Sequence, residues 1–516
     1  MHNRALQKKS KRFIELLINH KIIVCLLIFV IACYPIFFFR LHLPSIRMWD
    51  ESRRAINAFE MTINGNWLVT HYDGKPEMVG TKPPLLIWCI ALSMKVFGYN
   101  EFALRLPSAV CAMSTTIIIF LFGTKYFNDI KIGLTSGLVL VTSLGYIGEH
   151  VARTGDFDAM LVLWITIYSL SFFTYLHCND SKKNFYLFIA TTTLILAVLT
   201  KSVAGILAVP GLILYAAYQR KLGKVLSSPK IYIAAIIFFI SVSSFYILRE
   251  YYNPGYLKAV MANEILGRYA NTLENHQAPI SFYLSQMKHK FVPWIYILPI
   301  SFIIVSTTKS GRQIKNFVIL GLFYLSSYLL IVSFAQTKLP WYDAPVYPIA
   351  SMMVGIGLSK ILNLIIPDIQ IDYGFKRQLL IGILVSSIFI IPYLDTAYNK
   401  IYKHQGIIYD WSQPDNPQLM YGDYLKKITH EYPKLRDFSV INDDYNAHLL
   451  FYTKVANLKS YSIQLKIYND NILDNEIVVT CDLKIKSELE HGYHLKLLND
   501  SSPCYTFIVK NSKTES

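Results

Sequence analysis

IIVCLLIFVIACYPIFFF (22–39), followed by RLHLPSIRMWDESRR (40–54), decides how this chain is read. An uncharged run of this length can cross a bilayer when its flanking residues snorkel. Basic residues precede it (Arg4, Lys8, Lys9, Lys11, Arg12), and no small-residue cleavage site separates it from Arg40. It therefore reads as an uncleaved first helix with its N-terminus in the cytoplasm. The second stretch then becomes the first outward loop, with two adjacent acids, Asp50 and Glu51, at a membrane face.

Composition widens this reading to the whole chain. The 516 residues are 53% hydrophobic and 16% charged, too apolar for a soluble chain of this length. The net charge of +16 does not indicate nucleic acid, because Lys and Arg fall in short clusters between apolar runs and form no single basic face. About eleven or more runs are candidate spans: 22–39, 107–123, 132–147, 159–176, 185–200, 203–218, 231–248, 294–308, 317–335, 346–365 and 379–394. With the N-terminus inside, the inside loops hold Lys125 with Lys131, Lys182 with Lys183, Arg220 with Lys221 and Lys224, Lys309 with Arg312 and Lys315, and Lys376 with Arg377. Counting Pro84 to Gly98 as a span would invert every later loop, so it reads as a helix lying in the outer interface.

Three regions follow: a basic cytoplasmic N-terminus (1–21), a transmembrane domain (22–394) and an outward C-terminal domain (395–516). The last turns polar and carries strand-like runs at Glu476 to Thr480 and Tyr505 to Val509, which predicts a small soluble α/β domain. Of seven cysteines, Cys25, Cys33, Cys89, Cys111 and Cys178 lie in or beside apolar segments, without metal-ligand spacing. Cys481 and Cys504 face an oxidising compartment if the protein is bacterial; a disulfide and two free thiols both stay open.

A site that handled a lipid-phosphate sugar would need a carboxylate near the acceptor and cations for the leaving phosphate. The first loop supplies both, in Asp50 and Glu51 with Arg53 and Arg54. The same residues also suit a helix start, with the acids capping it and pairing with the arginines. Other polar residues fall on the outward face in the charge-derived threading: Lys82, Lys201 and Lys338 at helix ends, Asp156 and Asp158 before a span, and Arg268, His276 and Tyr342 in later outward segments. Single lysines at helix ends also serve as snorkelling anchors.

The order of Thr81-Lys82-Pro83-Pro84-Leu85, Phe97-Gly98, Arg105-Leu106-Pro107-Ser108, Arg153 to Asp158, Leu199-Thr200-Lys201, Phe291-Val292-Pro293-Trp294 and Thr337 to Tyr342 resembles the protein O-mannosyltransferase and aminoarabinose (lipid A) transferase superfamily. The resemblance runs over about residues 20 to 350. It implies a polytopic α-helical GT-C fold with outward interfacial helices, and transfer of one sugar, with inversion, from an undecaprenyl-type polyprenyl-phosphate donor to a lipid, glycan or protein acceptor. Such a protein sits in the bacterial inner membrane with its site on the periplasmic side. Carried over by position, Asp50, Glu51 and Asp158 are the acids, with Asp156 the alternative to Asp158. Lys82 matches a lysine associated with the carrier phosphate, joined by Arg53, Arg54, Lys201 and Lys338. Arg268, His276 and Tyr342 cover the site or meet the acceptor. The aminoarabinose branch is associated with zinc near such a histidine and an acid just before the Lys-Pro motif; here that position is Thr81, so no metal is expected to be required. Two rivals remain, a transporter or flippase of lipid-linked sugars and an assembly protein acting through its C-terminal domain. The chain shows no repeated halves and keeps its acids at helix ends, unlike a transporter.

Overall fold

The computed structural model describes residues 2–47, 49–148, 150–267, 277–365, 374–403, 417–442, 446–468, 470–501 and 504–512, with side chains from residue 20. Among the described residues seven helices are long and apolar enough to cross a membrane: His20–Phe38, Glu101–Tyr126, Asp158–His177, Lys183–Ile206, Pro229–Tyr252, Arg312–Phe334 and Ala344–Ile365. An eighth results if Phe282–Lys290 and Trp294–Thr307, which meet at 98°, form one span. Two other predicted spans fall on interrupted helices, for local reasons. In 132–147 the helix Ile130–Val141 stops and resumes as Leu144–Ile147. There the hydroxyls of Thr142 and Ser143 turn back onto the carbonyls of Leu138 and Val139, competing with the backbone ladder. In 203–218 a 3-10 turn, Ser202–Ile206, gives way to Val209–Tyr218, whose first turn holds Pro210 where its missing N–H does least harm. The run at 379–394 lies on the helix Gly374–Leu394. The Pro84–Gly98 stretch forms Leu85–Phe97, at 13 residues too short to cross.

The chain divides into two compact units. The first comprises 1–39, 108–153 and 157–404, and contains the long apolar helices. Small residues let its backbones approach closely. A Cβ on Gly133 would lie 2.4 Å from the Phe120 carbonyl, and one on Gly355 would lie 2.6 Å from the Ser136 nitrogen. Such contacts drive helix association where apolar burial alone cannot.

The second unit joins 40–107 and 154–156 to 405–516. Its C-terminal part is a five-stranded mixed sheet in the order Ser462–Lys466, Asp437–Ile441, Ile477–Thr480, Cys504–Ser512, Tyr493–Ser501. The first three strands are parallel and the last two antiparallel. Asp437–Ile441 and Ile477–Thr480 are almost wholly buried, the mark of strands covered on both faces. Phe438, Val440 and Val479 pack there against Tyr421, Leu425 and Ile428 of the helix Pro417–Glu431. Cys481 and Cys504 are joined as a disulfide.

This C-terminal fold is docked on the first loop. Tyr452, on the helix Ala447–Asn457, donates to Glu101 Oε1 at 2.7 Å and accepts from the Ile46 N–H at 2.9 Å. Lys426 reaches Glu101 at 2.8 Å, and Lys454 reaches Asp73 at 3.0 Å and Glu60 at 3.3 Å. The Tyr452→Phe protein should lose a hydrogen bond to a charged acceptor, about 2 kcal/mol. The apparent melting temperature of the purified protein should fall accordingly, and an unchanged value would contradict the docking role.

Candidate functional site

In the second unit the helix Asp50–Asn64 begins abruptly after Trp49, whose φ of 73° lies in the left-handed region and whose side chain makes no cap. Backbone strain of this kind gathers at functional sites. Asp50 and Glu51 sit in the first turn, at the positive end of the helix dipole. Their fates differ. Asp50 keeps 41% of its side chain exposed while its Oδ1 takes a 2.7 Å ion pair from Arg54, one turn on. Its carboxylate lies within 4.8 Å of that of buried Asp156. Two carboxylates that close repel unless a proton or cation joins them.

Glu51 is buried and fully engaged. Its Oε1 accepts from Arg105 Nε at 2.7 Å and the Gly155 N–H at 2.9 Å, and its Oε2 from a second Arg105 nitrogen and the Arg47 N–H, both at 2.9 Å. Burial by itself would raise the Glu51 carboxyl; the Arg105 charge, its hydrogen bonds and the two backbone N–H groups overcome that and hold it at about 2. Glu51, expected as a second catalytic acid, thus anchors the loop. Arg53 is likewise engaged, bonding both oxygens of Glu77 at 2.7 and 3.0 Å with its guanidinium 4.4 Å from the Tyr72 ring centre. Glu77 also accepts from the N–H groups of Val79 and Gly80. Burial would raise this acid too, but Arg53 and those N–H groups hold it at about 2. Arg53 and Arg54, expected at a phosphate, pair here with Glu77 and Asp50 in the loop that leads to buried Thr81 and Lys82.

In the first unit Asp158 opens the helix Asp158–His177 and Lys201 closes Lys183–Lys201. The Lys201 ammonium bridges both Asp158 oxygens at 2.6 and 2.7 Å, in a buried pair, with the Tyr342 ring centre 5.2 Å away. Lys338 is also buried, and its ammonium donates to the Ala335 carbonyl at 2.7 Å. Among the described residues it has no carboxylate partner. The His150 ring stacks on Trp341 at 3.6 Å, from a backbone at φ 61°. Arg153 donates to the carbonyls of Ile36 and Phe39. Arg268 and His276 lie outside the described residues.

The family model described as dolichyl-phosphate-mannose-protein mannosyltransferase matches residues 81–247. An undecaprenyl phosphate-alpha-4-amino-4-deoxy-L-arabinose arabinosyl transferase of Pseudomonas fluorescens is 26% identical over 351 residues, 67% of this chain and 58% of that protein. A protein of Aquifex aeolicus is 27% identical over 345 residues, 66% of each. Among solved structures, ArnT of Cupriavidus metallidurans bound to undecaprenyl phosphate superposes with a TM-score of 0.65 at 15% identity, covering 93% of this chain and 97% of that one. Part of the chain, residues 81–247, is thus similar to this lipid-phosphate-sugar transferase family. The structural likeness, at this identity, is one of fold, and the chain spans 58% to 66% of the length of these two curated relatives.

Reading GT-C motifs from sequence picked out the acids and lysines but missed what holds them. Arg105 stood in a quoted motif without a role, and Glu77 was passed over. A buried acid and a buried arginine that no local partner explains are a usable signal, because ionised side chains are seldom fully buried unless paired. Asp343 and His150 gave no sequence signal at all.

Proposed function

We propose that this GT-C protein transfers one sugar, with inversion, from a polyprenyl-phosphate donor to an acceptor at the outer face of the bacterial cytoplasmic membrane, crossing it about eleven times. The bond from the anomeric carbon to the phosphate breaks, a bond to the acceptor oxygen forms, and polyprenyl phosphate leaves with the electron pair. The observation that carries this reading is Lys338, a buried ammonium with no carboxylate partner among the described residues. A buried charge calls for a counter-ion, and the donor phosphate supplies one. Lys82, by its family position, matches a lysine associated with the carrier phosphate. Lys201, already paired with Asp158, shapes the surroundings with Tyr342. In the second unit Asp50 deprotonates or orients a hydroxyl acceptor, or positions a phosphate acceptor through a cation.

Thr81 offers a hydroxyl where the aminoarabinose branch has an acid, so zinc has no part in this reading. The close carboxylates of Asp50 and Asp156 suit a divalent cation, which would neutralise an anionic acceptor. Turnover should fall on chelation and recover when a divalent cation is added back; turnover unchanged by chelation would overturn the assignment. Binding of undecaprenyl phosphate to the Lys338→Ala protein should weaken by about tenfold or more, as expected for one charge-assisted contact. Equal affinity in the two proteins would remove Lys338 from the site. The acceptor class is tested by mass spectrometry of lipid A and envelope glycoproteins from cells with and without the protein.

A further inference from the structure

Asp343 follows Tyr342 and precedes the span Ala344–Ile365. It is wholly buried. Its Oδ2 accepts the Tyr347 phenol at 2.9 Å, while its Oδ1 has no hydrogen-bond partner among the described residues. The chain on either side is tied down by other helices. Tyr283 donates to the Leu339 carbonyl at 3.2 Å and Lys290 to the Pro340 carbonyl at 3.0 Å, both from the helix Phe282–Lys290. Tyr324, of Arg312–Phe334, donates to the Pro345 carbonyl at 2.9 Å. Among the described residues, the titratable groups that touch Asp343 or the chain beside it are Lys290 and Tyr283 on one helix, Tyr324 on another, Tyr347 one turn on, and Tyr342 next to it.

We propose that Asp343, held as the neutral acid, is a positioning residue that fixes the Thr337–Tyr342 segment carrying Lys338 and Tyr342. A carboxylate there would leave one buried oxygen unsatisfied, which the interior tolerates poorly. The acid form leaves that oxygen unpaired too but carries no charge, and an unpaired neutral group costs far less than a buried anion. On ionisation the anion would draw Lys290 away from the Pro340 carbonyl, or admit water, and the segment would lose a tie. Burial pushes the Asp343 carboxyl up to about 7, against the smaller opposing effects of Lys290 and the Tyr347 phenol. The folded chain thus holds a proton that the unfolded chain releases near pH 4. Its stabilising effect is full below that pH and is lost as pH rises through about 7.

The inference rests on the donor reading of Lys338 for its functional half, so two measurements are needed on the full chain in lipid nanodiscs. In the first, apparent melting temperature is followed from pH about 5.5 to 8.5. The wild type should fall through about pH 7, whereas Asp343→Asn, which keeps the shape without the charge, should stay level. Parallel curves would overturn the neutral acid. In the second, undecaprenyl phosphate binding is compared over the same range. If only the neutral form is competent, wild-type affinity should weaken about tenfold by pH 8 relative to Asp343→Asn, which also cancels titration of the lipid itself. A melting difference with no binding difference would make Asp343 merely structural and overturn the positioning role. Failure of the wild type to bind the lipid at any pH would refute the donor reading, and with it that role, leaving the melting curves to decide the neutral acid. Should Asp343→Asn not fold, Tyr347→Phe, lacking the phenol that favours the anion, should move both wild-type transitions to higher pH; unmoved transitions would refute the proposal.

Discussion

Replacing Asp50 by Asn is expected to lower turnover by about 10²–10⁴-fold while leaving the protein folded, the range for losing a general base or the charge that positions an acceptor. The substitution removes the charge and keeps the shape. An amide oxygen can still accept from Arg54, so the 2.7 Å contact one helical turn away survives in shape. If Asp50 were only a helix-start acid paired with Arg54, its charge would be worth about 0.3–1 kcal/mol of stability and nothing to turnover. The two readings therefore predict opposite patterns. A catalytic Asp50 gives near-normal melting with collapsed transfer, and a structural one gives slightly lowered melting with transfer intact. Transfer from polyprenyl-phosphate sugars, measured beside a melting curve, decides between them. Donor affinity should change little, because Lys338 and Lys82 carry that task in the proposed mechanism.

The contrast between Asp50 and Glu51 shows what the sequence made legible. Period and charge located the long apolar helices, because hydropathy and the sidedness of Lys and Arg are properties of single segments. They also allowed for a local ion pair, which Asp50 and Arg54 form. The longer pairings were out of reach. Arg105 lies 54 residues from Glu51, Glu77 lies 24 from Arg53, and Lys201 lies 43 from Asp158. In each case composition shows a charge at a helix end and cannot say whether another chain segment neutralises it. The broken helices were obscure for a similar reason. Thr142 and Ser143 are mild polar residues in an apolar run, and whether they interrupt it depends on where their hydroxyls turn. The Cys481–Cys504 disulfide needed the sheet to bring two strand ends together.

Arg105→Ala should be among the most damaging single changes in the second unit. The guanidinium makes five hydrogen bonds: two to Glu51 and one each to the carbonyls of Leu41, Pro44 and Ser45. Its removal leaves the Glu51 carboxylate buried without a counter-charge, a loss of about 3–5 kcal/mol, and frees the stretch that leads into Asp50. Lysine should not rescue it, since one ammonium cannot reproduce a planar fork with five donors. Acid provides an independent check. The Glu51 carboxyl is held at about 2, well below its unfolded value, so its stabilising effect is present at neutral pH and is lost as pH falls from about 4.5 toward 2. A drop of about 2.5 pH units corresponds to about 3 kcal/mol, the same order as removing the arginine. The wild type should therefore lose melting temperature over that acid range, while Glu51→Gln should start lower at neutral pH and show a shallower decline. If Arg105→Ala melts like the wild type, the buried pair is not what holds the loop, and the placing of Asp50 needs another cause.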